Sequence, residues 1–128
     1  MSFLLDTHAL LWALMEPEKL SLKALEAIQN PDSHLFVSSA SAWELSIKHA
    51  LGKLEGAEAV LEDFSGHLER LQAEVLTITL PHALKAGALP RHHRDPFDRM
   101  LIAQTGLERL TLISSDEAFD RYDVRVLW

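Results

Sequence analysis

Short apolar runs hand over to helical patterns repeatedly along this chain, and that alternation restricts the fold more than any other feature. The run SFLLD (residues 2–6) leads into THALLWALM, where Leu10, Leu11 and Leu14 stand at helical spacing until Glu16-Pro17 stops the pattern. HLFVS (34–38) leads through the Ser-rich SSAS into AWELSIKHAL, which Gly52 closes as a C′ residue. LTLIS (110–114) is followed by a short helix or turn over 116–122, and 124–128 reads as a last strand. Strands alternating with helices predict an α/β fold, a parallel sheet covered by helices on both faces. Right-handed crossovers then bring every strand C-terminus to one edge, where open α/β sheets bind their ligands.

The remaining segments fill the same scheme. Ser21 caps a helix LKALEAIQ that Asn30-Pro31 ends, and residues 57–72 place Ala57, Val60, Leu61, Phe64, Leu68 and Leu71 on one face of an amphipathic helix. Residues 75–79 read as a strand, and Pro81 opens a helix PHALKAGAL. After the polar loop PRHHR, Asp95-Pro96 opens the helix FDRMLIAQTGL. With 128 residues and no repeat or linker, one domain spanning residues 1–128 is expected.

A composition of 48% hydrophobic and 24% charged residues is that of a folded globule. No apolar run approaches the roughly 20 residues of a membrane span. The N-terminal MSFLLDTHALLWALM lacks a basic leading region and is interrupted by Asp6 and His8, so it does not read as a signal peptide. The absence of cysteine excludes disulfides, thiolate metal sites and thiol nucleophiles, and accords with a cytoplasmic location.

Asp6, Glu44, Asp98 and Asp116 each stand at a strand-to-helix handover or just inside the helix that follows. The predicted sheet brings all four to one edge. Each has an ordinary reading as well. Asp6 caps the first helix, Ser41-x-x-Glu44 matches a capping box, Asp98 at N3 suits the helix dipole, and Asp116 caps the next turn. Yet glutamate is a poor cap, and capping does not explain a full charge at each of these positions. Crowded carboxylates raise one another's pKa unless a cation balances them. Mg²⁺ and Mn²⁺ prefer such oxygen ligands, and these four acids are the candidate metal ligands and catalytic groups.

The runs LLDTHALLWAL, SSASAWELSIKHALGKL, RHHRDPFDRMLIAQT and LTLISSDEAFDRY resemble, in order and over almost the whole chain, the PIN-domain ribonucleases of the VapC toxin type. The pairing of DTHALLW with DPFDRMLIAQ is the most specific part. The resemblance implies a three-layer α/β/α sandwich with a parallel sheet of four or five strands. It matches Asp6, Glu44 and Asp98 to the core acids of the metal site, Asp116 to a less uniform fourth, and Ser114 to a small hydroxyl residue preceding it. The implied activity is Mg²⁺- or Mn²⁺-dependent endonucleolytic cleavage of RNA. The implied partners are a VapB-type antitoxin laid over the acidic groove and a second copy in a homodimer.

Around these acids several residues carry two readings. Asp95 belongs to the DPFD pattern and reads as a structural cap; Thr7 either orients Asp6 or a metal-bound water, or is a plain helix residue. Arg91, His92, His93 and Arg94 form the one compact basic patch, either a contact for the RNA backbone or a solvated loop. The net charge of −7 counts against nucleic acid at long range without forbidding a local site. His8, His34, His49, His67 and His82 have no metal-ligand spacing, and Lys48 is placed to pair with Glu44 four residues back. Trp12 and Trp43 read first as core, alternatively as a groove lining for antitoxin, and Trp128 closes the sheet edge or core. Three rivals fit less well. A haloacid-dehalogenase-type phosphohydrolase wants a second Asp where His8 stands, a receiver-like domain wants paired acids and a late lysine, and a plain interaction module leaves the acids as caps.

Overall fold

The computed structural model describes residues 1–92 and 94–128. Its centre is a five-stranded, all-parallel sheet made of β1 (Ser2–Leu5), β2 (His34–Ser38), β3 (Ala73–Leu76), β4 (Thr111–Ile113) and β5 (Arg125–Leu127), in the order β3-β2-β1-β4-β5. β1 lies in the middle, paired with β2 on one side and β4 on the other, so Phe3, Leu4 and Leu5 are buried on both faces and form an apolar run without alternation.

Strand geometry divides the core in two. Successive side chains point to opposite faces. Phe3, Leu5, Leu35, Val37 and Ile113 therefore join one cluster, with Leu10, Ala24, Leu45 and Leu68 from the helices above them. Leu4 and Leu112 join the other, with Leu101, Ile102, Phe119 and Tyr122. The first face is covered by α1 (Thr7–Met15), α2 (Leu22–Gln29), α3 (Ser39–Ala50) and α5 (Phe64–Leu71). The second lies under α7 (Pro96–Leu107) and the 3₁₀ turn Glu117–Arg121. Three layers result, as the alternating pattern predicted.

Local chemistry sets the helix starts. Ser21 Oγ accepts from Ala24 N–H to begin α2, and the Asp95 carboxylate accepts from Phe97 and Asp98 N–H, at 2.8 and 3.2 Å, to begin α7 with Pro96 in its first turn. α3 ends as foreseen: Gly52, at φ +70°, turns the chain so that its N–H and that of Lys53 reach the carbonyls of His49 and Lys48. Asp95→Ala should therefore cost about 1 kcal/mol. A melting temperature unchanged by that substitution would show that the cap contributes nothing.

Three boundaries differ from expectation. The single helix expected over 57–72 is broken into α4 (Ala57–Glu62) and α5, because Asp63 takes an extended φ of −137° and caps α5 through Gly66 N–H. One apolar face continues across the break, which is why spacing alone did not reveal it. The strand expected over 75–79 sits earlier, as β3. Gln72 at φ +60° turns directly into it, and Thr79 is instead the N-cap of α6 (Leu80–Ala88). Finally, the N-cap of α3 is Ser38, whose Oγ accepts from Ala40 N–H, so Ser41 and Glu44 form no capping box.

Candidate active site at the strand C-termini

The sheet has its topological switch beside β1, where the chain leaves toward β2 on one side and returns later to β4 on the other. Such a point opens a crevice at the C-terminal edge. Asp6 and Ser114, the residues that follow β1 and β4, flank it, and Asp6 N–H donates to the Ile113 carbonyl at 3.1 Å.

Asp6 is buried, 5% exposed, and caps α1 by accepting from Ala9 N–H at 2.7 Å. Burial pushes its carboxyl above the ordinary aspartate range, and the nearby charge of Asp116 adds to the effect. The Ser114 hydroxyl, the Ala9 N–H and His8 oppose it by favouring the ionised form. Ser114, itself buried, also accepts from Asp116 N–H at 3.0 Å. Asp116 is exposed and caps the 3₁₀ turn through Ala118 N–H. Asp6, Ser114 and Asp116 thus form one electrostatic group.

A second group forms around Glu44. It lies in the second turn of α3, only 5% exposed, with both carboxylate oxygens engaged. Thr7 Oγ1 stands 2.7 Å from Oε1 and 3.0 Å from Ser41 Oγ. A carboxylate can only accept, so the Thr7 proton goes to Glu44 and Thr7 accepts from Ser41. Lys48 Nζ lies 2.8 Å from Oε2, the pairing its i+4 spacing predicted. Thr7 accordingly orients Glu44 rather than Asp6. Being next to Asp6 in the chain, it also joins the two groups.

Asp98 is half-buried in the first turn of α7, at N3 as expected. Edge-to-face packing of Trp43 on Phe97, centroids 5.2 Å apart, presses that turn against α3, one residue from Glu44 on one side and one residue from Asp98 on the other. Trp43 is 61% exposed, which overturns its core reading, whereas Trp12 packs half-buried between His8 and Trp128. Trp128 packs against the core as expected.

Arg91, His92 and Arg94 are exposed beside this turn, and His93 lies outside the described residues. His92 packs on Tyr122, and Arg91 and Arg94 line a cavity of about 580 Å³ with Gly87 and Arg99. Arg99, which was not singled out in the sequence, donates to the carbonyls of Ala86, Leu89 and Pro90, each at 2.9 Å, and so ties the end of α6 to the start of α7. His82, which has no metal-ligand spacing in the sequence, has a structural role. It is buried, accepts from Thr79 N–H and lies 2.9 Å from Glu108. The Thr-x-x-His spacing of a capping box was the available signal. Among the described residues no three carboxylate or imidazole side chains converge into a preformed metal cage. None of the helices described is long and apolar enough to cross a membrane.

The position of Asp6 predicts a pH effect on stability. A carboxyl whose folded pKa is raised is best tolerated when protonated. Stability in metal-free buffer is therefore greatest below the ordinary aspartate pKa and falls as pH rises through the folded pKa. Asp6→Asn, which can still cap α1, should melt higher than the parent at pH 7 and equally near pH 3. A lower melting temperature at pH 7 would sink this account.

Comparison with known proteins agrees with this geometry. A family profile described as the PIN domain matches residues 3–125. Ribonuclease VapC22 of Mycobacterium tuberculosis is 34% identical over 116 residues, 88% of this chain and 85% of that protein. Among solved structures, VapBC2 from Rickettsia felis bound to a DNA fragment from their promoter aligns with a TM-score of 0.72 at 16% identity, covering 99% of this chain and 98% of the other. FitAcB from Neisseria gonorrhoeae aligns at 0.69 and 20% identity, over 98% and 96%. VapBC-1 from nontypeable Haemophilus influenzae aligns at 0.66 and 21% identity, over 99% and 97%. These three likenesses concern the fold.

Proposed function

Since the chain belongs to the PIN-domain family, we propose that it is a divalent-metal-dependent endoribonuclease, the toxin of a type II toxin–antitoxin pair. The observation that carries this reading is the Asp6 carboxyl buried at the switch point, where desolvation disfavours its ionised form. A cation beside it removes that cost. The donor set (Asp6, Glu44, Asp98 and Asp116) is all oxygen, which fits a hard ion such as Mg²⁺ or Mn²⁺. Mg²⁺ is commonly held by one or two carboxylates and several waters. When bound, such an ion supplies an activated water and a charge facing the phosphodiester.

The remaining roles fall to the chain's own groups. Asp6 and Asp98 would hold the ion, and Thr7 with Ser41 fixes the Glu44 carboxylate that would join them. Ser114 steadies Asp6 in its ionised form and the loop that carries Asp116. Asp116, exposed, offers its carboxylate from the rim. Arg91, His92 and Arg94 contact the RNA backbone beside this edge, by charge and without reading sequence.

The partner is an antitoxin of the VapB type, and the exposed Trp43 against Phe97 is the anchor for it at the rim. The structural neighbours, which include VapBC2 of Rickettsia felis and a toxin–antitoxin complex from Klebsiella pneumoniae, support such a partner. A homodimer is the assembly expected of this type. The test is to incubate the purified chain, free of any partner, with structured RNA. Internal cleavage is expected with Mg²⁺ or Mn²⁺ and none with excess EDTA. Cleavage that survives EDTA overturns the proposal.

A further inference from the structure

We propose that Lys48 is a placeholder cation for the metal site: it neutralises Glu44 while no divalent ion is bound, and it competes with that ion for the carboxylate. The inference rests on the preceding assignment of Glu44 to the metal site. Two of the four acids, Asp6 and Glu44, are buried, and only Glu44 has an ammonium partner among the described residues. Asp6 is stabilised by the Ser114 hydroxyl, the Ala9 N–H and the nearby His8, whereas Glu44, its side chain 7% exposed, carries Lys48 Nζ on Oε2 at 2.8 Å.

The pair is built to separate. Lys48 is 38% exposed, so its ammonium already stands partly in water and can move outward with little desolvation. Lysine also presents a single point charge on a flexible stem, without the fork that binds a carboxylate through two bonds. Oε1 meanwhile stays held by Thr7, itself braced by Ser41, so the carboxylate keeps its aim when the ammonium leaves. An ammonium and a divalent ion cannot share one buried oxygen without strong repulsion at such short range. The apparent metal affinity is then reduced by the share of molecules in which Lys48 occupies Glu44.

Calorimetric titration of the purified full chain with Mn²⁺, without RNA, tests this on the parent, Lys48→Met, Lys48→Arg and Asp6→Asn. Lys48→Met keeps the stem and removes the charge. It should bind Mn²⁺ at least roughly fivefold more tightly, the lower end of ordinary coupling between sites, and melt lower than the parent in metal-free buffer. Lys48→Arg should bind no more tightly than the parent and restore the metal-free melting temperature. Binding by Lys48→Met that equals the parent's or is weaker, while Asp6→Asn abolishes uptake, overturns the placeholder role alone. A parent that takes up no Mn²⁺, or uptake that Asp6→Asn leaves unchanged, overturns the metal site and the placeholder together.

Discussion

Asp6→Asn is expected to lose at least about 100-fold of the RNA cleavage rate, the scale on which removal of one preorganised electrostatic group acts. The carboxylate is buried at the switch point, and its charge is the term that burial disfavours and a cation restores. Asparagine keeps the size and the cap on Ala9 N–H but holds no charge for a metal. Because the same substitution should raise metal-free stability at pH 7, a fall in activity cannot be attributed to unfolding. Asp98→Asn should act similarly if Asp98 is a second ligand, as proposed. Single-turnover cleavage at saturating Mg²⁺ measures both. Parental rates in both variants would remove these acids from the mechanism.

Leu5→Ala should be the most damaging of the core truncations. Leu5 is fully buried in the central strand, between Val37 and Ile113, and directly precedes Asp6. A buried leucine cut to alanine costs about 2–5 kcal/mol. That is a large part of the roughly 5–15 kcal/mol that stabilises an ordinary domain. The melting temperature should fall by roughly 10 °C or more, given the few degrees per kcal/mol typical of this size. Leu84→Ala, at a site 67% exposed on α6, should change it little. A similar fall in both variants would show that burial does not set the stability of this sheet.

Much of the fold could be read in advance wherever the cause was local. Ser21 and Asp95 act on N–H groups two or three residues away, and Gly52 on the turn it sits in, so their roles needed no tertiary contact. The errors also share a cause. Asp63 breaks a helix whose apolar face runs on unbroken, and β3 takes its limits from pairing with β2. Glu44 matched a capping box by spacing, but α3 begins earlier, at Ser38, and its first turn needs no help from Glu44. Trp43 looked like core because its type is apolar, yet it is 61% exposed, packed edge-to-face on Phe97.

By itself the sequence determined that strands alternate with helices, where most of them start, and that an acid stands near each relevant handover. Those features follow from dihedral preference, side-chain period and capping, all of which act over a few residues. Only the tertiary structure decided that β1 lies between β2 and β4, with the switch point beside Asp6. It also decided that Thr7 holds Glu44 across a separation of 37 residues, and that Trp43 and Phe97 press the turn of Asp98 against α3. Lateral strand order depends on burying both faces of the sheet at once. That is a property of the whole chain, which no local pattern of residues contains.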